Sequence, residues 1–521
     1  MSRQSLDNHD EHIMGKRTIR GNRIRAGQSI PLADKPFRHT RNPFMPIEPL
    51  RPQQVEQIHN ASMRILEEVG IDFLDDEALH YWESAGAKVD WPSKHAWIDR
   101  HLLMGLISQA PREFTLRAPN AERSLMIGGD HINFATVGGA PFFSDMERGR
   151  RPGTLDDFRM MVRLAQVCGP IHIVEGLLVE PQDLPVSTRH LHKALAQFTL
   201  SDKAITAAAH GRDVAMDYLQ MAAIVYGGME AVLAPPVFAS VANANSPLRF
   251  DERMLGGLLT YARHGQPVII TPFILAGAMS PVTLASAVAQ QNAEALAGIA
   301  LTQLVRPGVP VVYGGFTTNI DMQSGSPAFG TPEGALALLC GGQLARHYGI
   351  PCRGSGGLNN SKTVDSQASY ETQMSLWPAV MGHANIILHS AGWLDAGLVC
   401  SLEKFIIDVE GLAVMQRMLD GFVIDDDSLS LASIAEVGPG GHHLGTSHTL
   451  ERYRSAFYMP LVSDRQNFDK WREDGSQDAA ERANRIARQL LSAYEPPPSD
   501  PAVIQELVEF VKRREKELSA R

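Results

Sequence analysis

Pro310-Val-Val-Tyr313, a helical pattern at Gly334–Tyr348, Cys352-Arg-Gly354, a second helical pattern at Tyr370–Val380 and Asn385-Ile-Ile-Leu-His389 follow one another in this chain. Apolar runs of strand length alternate with longer runs of helical spacing, the mark of β/α units whose strands lie parallel. Upstream, the alternation continues through candidate strands His131–Val137, Ile171–Glu175, Ala204–Ala209, Ala231–Leu233 and Pro267–Thr271. Helical patterns at Leu155–Val167, Val214–Tyr226, Met254–His264 and Leu284–Val305 separate many of them. Eight candidate strands match a closed ring, so the expected fold is α/β, a (β/α)8 barrel with an N-terminal helical extension. A doubly wound open sheet is the alternative.

Between Gln266 and Ile350 the only charged residues are Glu294, Arg306, Asp321, Glu333 and Arg346. So little charge places the segment in the interior or around an enclosed cavity. Before the alternating region, helical spacing from Pro52 to a stop at Gly70, then at Asp76–Ala85 and about Lys94–Ala110, suggests a helical cap. Beyond it, Phe405–Leu419 reads as helix, Gly438–Trp471 as a segment rich in histidine and aromatic residues, and Ala479–Leu491 and Ala502–Leu518 as surface helices. The expected organisation is an extended basic, proline-rich arm at 1–50, a helical cap at 51–125, the barrel at 126–435, and a C-terminal segment packed on it at 436–521.

The 521 residues are 44% hydrophobic and 20% charged, an ordinary globular composition. A formal charge of -10 offers no general attraction to nucleic acid or an anionic membrane. A basic stretch with Lys16, Arg17, Arg20, Arg23 and Arg25 opens the chain, and a domain-draped terminus explains it better than a nucleic-acid contact. The four cysteines form no CxxC pair, and neither a signal-peptide core nor a membrane span is visible. A cytoplasmic enzyme is the expectation.

No Walker A loop, complete dinucleotide fingerprint or HExxH occurs, so no tightly bound nucleotide or metal is expected. His442, His443 and His448 invite a zinc reading, but adjacent histidines point apart and cysteine ligands are missing; shaping a ligand pocket fits better. The aromatics at 453, 457, 458, 468 and 471 are expected to pack the tail onto the body. The densest polar constellation is Arg353-Gly-Ser-Gly-Gly-Leu-Asn359-Asn360-Ser361-Lys362, continuing to Asp365, Gln367, Tyr370 and Glu371. It follows a candidate strand and precedes a helix, where barrel enzymes hold catalytic groups. Asp365 also suits a helix cap, and Thr331-Pro332 gives Glu333 an ordinary place in a first turn. His389, Trp393 and Asp395 follow the last strand and are placed to enter the same cavity.

The sequence resembles the trimethylamine methyltransferase family. The matching blocks are Tyr313-Gly-Gly-Phe316, Asp321–Gly325, Gly330-Thr-Pro-Glu333, Gly342-Gln-Leu-Ala-Arg346, Ser369-Tyr-Glu-Thr-Gln373-Met-Ser-Leu-Trp377, His389-Ser-Ala-Gly-Trp393-Leu394 and Glu403-Lys-Phe405. Gly441-His-His-Leu-Gly445 and His448-Thr-Leu450 add to them, and together they span nearly the whole chain after about residue 40. The resemblance implies a TIM-type barrel and transfer of a methyl group from an amine to the cobalt of a separate corrinoid protein. Founding members carry pyrrolysine in the barrel; here the 353–357 block holds standard residues, with Gly356 and Gly357 the nearest equivalents. That departure points to the non-pyrrolysine branch, which includes glycine betaine methyltransferases.

A quaternary substrate, held by cation–π attraction, is therefore expected, together with a corrinoid (cobalamin) cofactor carried by a partner protein and a homo-oligomeric state. Candidate cage residues are Phe134, Tyr313, Phe316, Tyr370, Trp377 and Trp393. Arg353 or His389 is the candidate anchor for a substrate carboxylate. Glu333, Asp365 or Glu371 would orient polar groups or balance the ammonium. Two other readings are direct methyl transfer to a folate-like acceptor, and a non-catalytic betaine- or corrinoid-partner-binding protein.

Overall fold

The computed structural model describes residues 36–520. The basic cluster at residues 16–25 lies outside the described residues. Eight strands form the centre: β1 (His131–Phe134), β2 (Ile173–Val174), β3 (Ala204–Ala207), β4 (Ala239–Ala244), β5 (Val268–Ala276), β6 (Val311–Gly314), β7 (Cys352–Ser355) and β8 (Ile386–Leu388). They pair in parallel in chain order from β2 to β8, and β8 pairs with β1. A parallel bridge between Ala135 and Ile173 brings the two ends of this path together. The result is a mixed α/β fold around one large sheet.

Helices alternate with these strands: α1 (Leu155–Val167), α2 (Arg189–Leu200), α3 (Arg212–Tyr226), α4 (Glu252–Arg263), α5 (Leu284–Val305), α6 (Pro332–Tyr348), α7 (Ser366–Met381) and α8 (Leu402–Leu419). Helices on one face and packed side chains on the other leave β3, β6 and β7 buried at every position, as expected for parallel strands. α5 is buried along most of its length because the helices at Pro52–Arg64, Asp76–Ser84 and Arg100–Ile107 pack on its outer side. This accounts for the scarcity of charge there.

Three expectations need correction. Ala231–Leu233 belongs to a short helix, Met229–Leu233, and the sheet member in that region is β4. α2 was not anticipated, because buried His190, Lys193 and Gln197 interrupt its apolar stripe. The cap is not wholly helical: Ile71–Phe73, Lys88–Asp90 and His95–Trp97 form a small sheet with Arg249–Phe250, and the helix expected from Lys94 starts at Arg100, capped by Asp99.

At the amino ends of the central strands the hairpin Glu113–Leu116/Leu125–Gly128 closes the interior. Its Phe114, Leu116, Leu125 and Ile127 form one apolar cluster with Ala135, Ile173, Ala204, Ala239, Ile269, Val312 and Ile386. The C-terminal segment packs partly through Ala483, Ile486 and Leu490, and through Leu507, Phe510 and Val511. Its aromatics do not all follow: Tyr453, Phe457 and Phe468 are exposed.

Candidate active site

Inward-facing residues at the carboxyl ends of the strands line a cavity of about 270 Å³. Glu175 follows β2, Thr206 stands in β3, Asn243 in β4, Thr271 and Phe273 in β5, and Arg353 in β7, with Phe316 and His389 just beyond β6 and β8. One wall is aromatic. Phe316 stacks on Phe329 (5.5 Å between centroids) and on His389 (5.7 Å), while Trp393 lies 4.6 Å from His389 and edge-on to Phe329 at 5.7 Å. The Arg353 guanidinium lies 5.2 Å from the Phe316 ring centre.

Several groups hold this wall in place. The Trp393 indole donates to the Asn359 carbonyl (3.2 Å), and the Asn359 amide donates back to the Trp393 carbonyl (2.7 Å). Behind them, the buried Lys404–Asp408 pair reaches Thr372 (2.8 Å) and accepts from the Gly392 N–H (2.9 Å). A Cβ on Gly397 would lie 2.5 Å from the Trp393 ring, so only glycine permits this approach. His389 adopts a left-handed backbone (φ 59°), fixed by its N–H to Thr136. Its Nδ1 accepts from the Gly138 N–H (3.2 Å), so the neutral ring carries its proton on Nε2. Burial, then the nearby Arg353 charge, keeps this imidazole neutral by holding its pKa well below the usual value.

Two charged side chains face each other electrostatically. Burial pushes the Glu175 carboxyl up to about 7, opposed by the Thr206 hydrogen bond (2.7 Å) and by Arg353. Burial likewise lowers Arg353 to about 10 against the attraction of Glu175. Arg353 donates through Nη1 to the Gly315 carbonyl (2.9 Å). Glu175 Oε1, Thr271 Oγ1 and Arg353 Nε are buried without a protein partner. Buried polar groups are ordinarily satisfied, so this concentration marks a place prepared for a ligand.

Of the residues singled out from sequence, Phe316, Arg353, His389 and Trp393 meet here. The others lie elsewhere. Phe134 stacks on His172 within the core (5.7 Å), and Tyr313 is buried with its hydroxyl on Asn292 (3.0 Å). Tyr370 is 62% exposed, and Trp377 packs half-buried on α7. Glu333 is exposed in the first turn of α6, behind the Thr331 cap. Asp365 caps α7 through the Ala368 N–H (2.9 Å). Glu371 accepts from the Asn360 N–H (2.7 Å) and from Gln367 (3.0 Å), bracing the loop after β7. Gly356 and Gly357 face packed protein: a Cβ on Gly356 would lie 3.0 Å from Leu376 and Ser390, and one on Gly357 3.0 Å from the His389 carbonyl. His442, His443 and His448 do not line the cavity. Sequence reasoning missed Glu175, although it ends a candidate strand, and Phe329, which directly precedes the Gly330-Thr-Pro turn.

Residues 16–519 match the family described as Trimethylamine methyltransferase (MTTB). The chain belongs to this family. It is 41% identical over 469 residues to the glycine betaine methyltransferase of Desulfitobacterium hafniense (strain Y51), covering 90% of this chain and 97% of that one. The trimethylamine methyltransferase MttB of Desulfitobacterium hafniense (strain DSM 10664 / DCB-2) is 28% identical over 468 residues, covering 89% and 93%. MttB2 of Methanosarcina mazei is 29% identical over 478 residues, covering 89% and 94%. Among the described residues of this trimethylamine methyltransferase family member, no group of three or more His, Cys, Asp or Glu is arranged to hold a metal ion. No helix among them is long and apolar enough to cross a membrane.

Proposed function

We propose that this protein moves a methyl group from a quaternary amine such as glycine betaine to the cobalt of a corrinoid protein. The observation that carries the reading is a cavity combining an aromatic wall (Phe316, Phe329, Trp393) with a buried cation, Arg353, and a buried acid, Glu175. The 41% identity to a glycine betaine methyltransferase supports the same substrate class. The Ala135–Ile173 bridge supports a closed (β/α)8 barrel of TIM type at 126–435, with 51–125 as a cap and 436–521 packed outside.

Glycine betaine is a dipole, and the cavity offers a matching one. The trimethylammonium would rest on the aromatic faces, each good contact contributing roughly 0.5–2 kcal/mol. Arg353 would face the substrate carboxylate and Glu175 the ammonium. Neutral His389 adds an aromatic face without a repelling charge. The nitrogen is already positive, so cleavage of the C–N bond leaves its electron pair on a neutral tertiary amine, with no proton needed beforehand. The reduced cobalt of the corrinoid supplies the nucleophile. Small or apolar lining residues that reach the surface, Gly139 and Leu398 (46% exposed), would suit the approach of such a partner. The protein's own work is to bind the dipole, aim one methyl at the mouth and exclude water.

Incubating the protein with glycine betaine and its reduced corrinoid partner should produce dimethylglycine and methylate the corrinoid. No transfer across a panel of quaternary amines, with a partner shown to be active, would overturn the reading. Dimethylglycine formed with a free folate instead would favour direct transfer.

A further inference from the structure

A second, smaller cavity of about 40 Å³ adjoins the first and shares Phe316, Phe329 and Arg353 with it. It lies among α5, α6, β7 and the segment after β6. We infer that this pocket is a receptor for the carboxylate end of the substrate, built from Gln291, Ser355 and Arg353. The inference rests on the quaternary-amine reading above and assigns the part of the ligand on which that reading is silent beyond Arg353.

Three observations carry it. Ser355 Oγ and Arg353 Nε are buried without a partner, Gln291 Nε2 has no well-formed hydrogen bond and only the Tyr313 hydroxyl near it, and all three residues line the pocket. The neighbouring polar groups are already engaged. Thr317 donates to Gln291 Oε1 (2.6 Å), Tyr313 to Asn292 (3.0 Å) and Ser375 to the Glu371 carbonyl (3.1 Å), while Arg353 occupies the Gly315 carbonyl. What remains are two N–H donors and a hydroxyl able to donate, which favours an acceptor, and the guanidinium makes an anionic one preferable. Size narrows the choice. A water needs roughly 10–15 Å³ by this measure, so the pocket admits a carboxylate and not a trimethylammonium head.

The backbone is arranged around the same amide. A Cβ on Gly315 would lie 2.5 Å from the Gln291 amide, and one on Gly341 3.3 Å from its nitrogen. Ser355 and Arg353 stand two apart on β7, so both side chains point to one face of the sheet. With the carboxylate here, the ammonium one methylene away would fall toward the aromatic wall of the larger cavity. The pocket would then distinguish betaines from quaternary amines that lack an acid group.

Binding of three probes to the full-length protein tests this: glycine betaine, tetramethylammonium and acetate, with Ser355→Ala, Gln291→Leu and Gln291→Glu. Ser355→Ala and Gln291→Leu should each weaken glycine betaine roughly tenfold, the cost of an unmade hydrogen bond to a charged group, and leave tetramethylammonium within about twofold. Gln291→Glu should weaken glycine betaine and acetate further, because it sets a negative charge against the anion. Unchanged tetramethylammonium binding also reports that each variant folds. Equal weakening of glycine betaine and tetramethylammonium, or no weakening of either, overturns the proposal. If the wild-type protein binds no quaternary amine but holds acetate in a manner these variants abolish, the functional reading fails and the carboxylate pocket stands. If glycine betaine turns over and the variants are silent, the pocket alone fails.

Discussion

The two ends of the central strands bury charge equally well and satisfy it in opposite ways. At the amino end, Lys203 is fully buried and donates to the carbonyls of Ala165 (2.6 Å), Cys168 (2.8 Å) and Ile171 (2.7 Å). His172 accepts from the Phe134 N–H (2.9 Å) and donates to the Arg38 carbonyl (2.9 Å). At the carboxyl end, Glu175, Thr271 and Arg353 each keep one buried polar atom without a partner. Burial shifts groups at both ends: Lys203 falls to about 7 and His172 to about 3, while Glu175 rises to about 7. A perturbed pKa therefore does not locate the site in this protein. Unmet hydrogen bonds beside an aromatic cavity do.

The sharpest way to break the comparison is Arg353→Met. The buried guanidinium and Glu175 attract one another without touching, so its removal leaves the buried acid without that opposite charge. If Arg353 receives the substrate carboxylate as proposed, kcat/KM for glycine betaine should fall by roughly 10²–10³-fold. Activity within tenfold of wild type would remove Arg353 from the site. Lys203→Ala is the matching experiment at the closed end. Three carbonyls lose their donor, so urea unfolding should show a loss of about 3 kcal/mol, with kcat of the folded protein unchanged. A kcat defect at full stability would mean that the amino end also serves the chemistry.

Within the open end, Trp393→Leu separates the aromatic wall from the charges. Losing a cation–π face worth roughly 0.5–2 kcal/mol should raise the Kd for tetramethylammonium about 2- to 30-fold. An unchanged Kd would move the ammonium off this wall.

The acid gives a pH test with a definite sign. Glu175 is negative above about 7 and neutral below it. Its folded-state pKa is raised, and a bound cation draws it down, so binding releases protons in this range. Affinity for tetramethylammonium should fall as pH drops from 8 to 6, by roughly three- to tenfold, and Glu175→Gln should flatten the profile. Of the groups nearby, Arg353 stays charged throughout, burial holds His389 well below its usual range and neutral, and burial also lowers His210. A slope that survives Glu175→Gln would assign the proton elsewhere.

How much of this is legible in sequence depends on what each residue has to do. Leu155–Val167 and Leu284–Val305 read with their observed bounds, α1 because it presents one apolar face and α5 because it is apolar all round and ends at Arg306. Ala239-Ser-Val-Ala-Asn-Ala244 does not read as a strand, because it is built of small and polar residues: Ala239 joins the inner apolar cluster, Asn243 lines the cavity, and Ala242 and Ala244 pack in the other core cluster. Ala231–Leu233 is more apolar and is helical, since a short apolar run carries no period. In the site, Arg353 and His389 are visible because they sit at strand ends. Glu371 attracts attention as part of the polar run after β7 and Glu333 as part of the Gly330-Thr-Pro-Glu block, and both lie off the cavity, because loops and first turns use carboxylates too. Which acid faces inward follows from strand register, and that is a tertiary fact.

Asp365 is the smallest test and the one that separates these two uses of a carboxylate. It accepts from the Ala368 N–H (2.9 Å) and from Ser361 Oγ (2.8 Å). The Ala368 bond leads in holding its carboxyl below the usual range. A depressed acid stabilises the fold above its unfolded pKa, and the contribution is lost as pH falls through the acid range. Asp365→Ala should therefore cost about 1 kcal/mol, the usual cost of losing an N-cap, with the difference from wild type shrinking in acid. Glycine betaine turnover at neutral pH should stay within about twofold, since α7 is also tied to the loop after β7 through Glu371 to Asn360 and through Ser375 to the Leu358 carbonyl. A collapse of kcat without a change in unfolding would place this carboxylate among the reacting groups, and satisfied hydrogen bonds would then no longer divide structural from functional acids here.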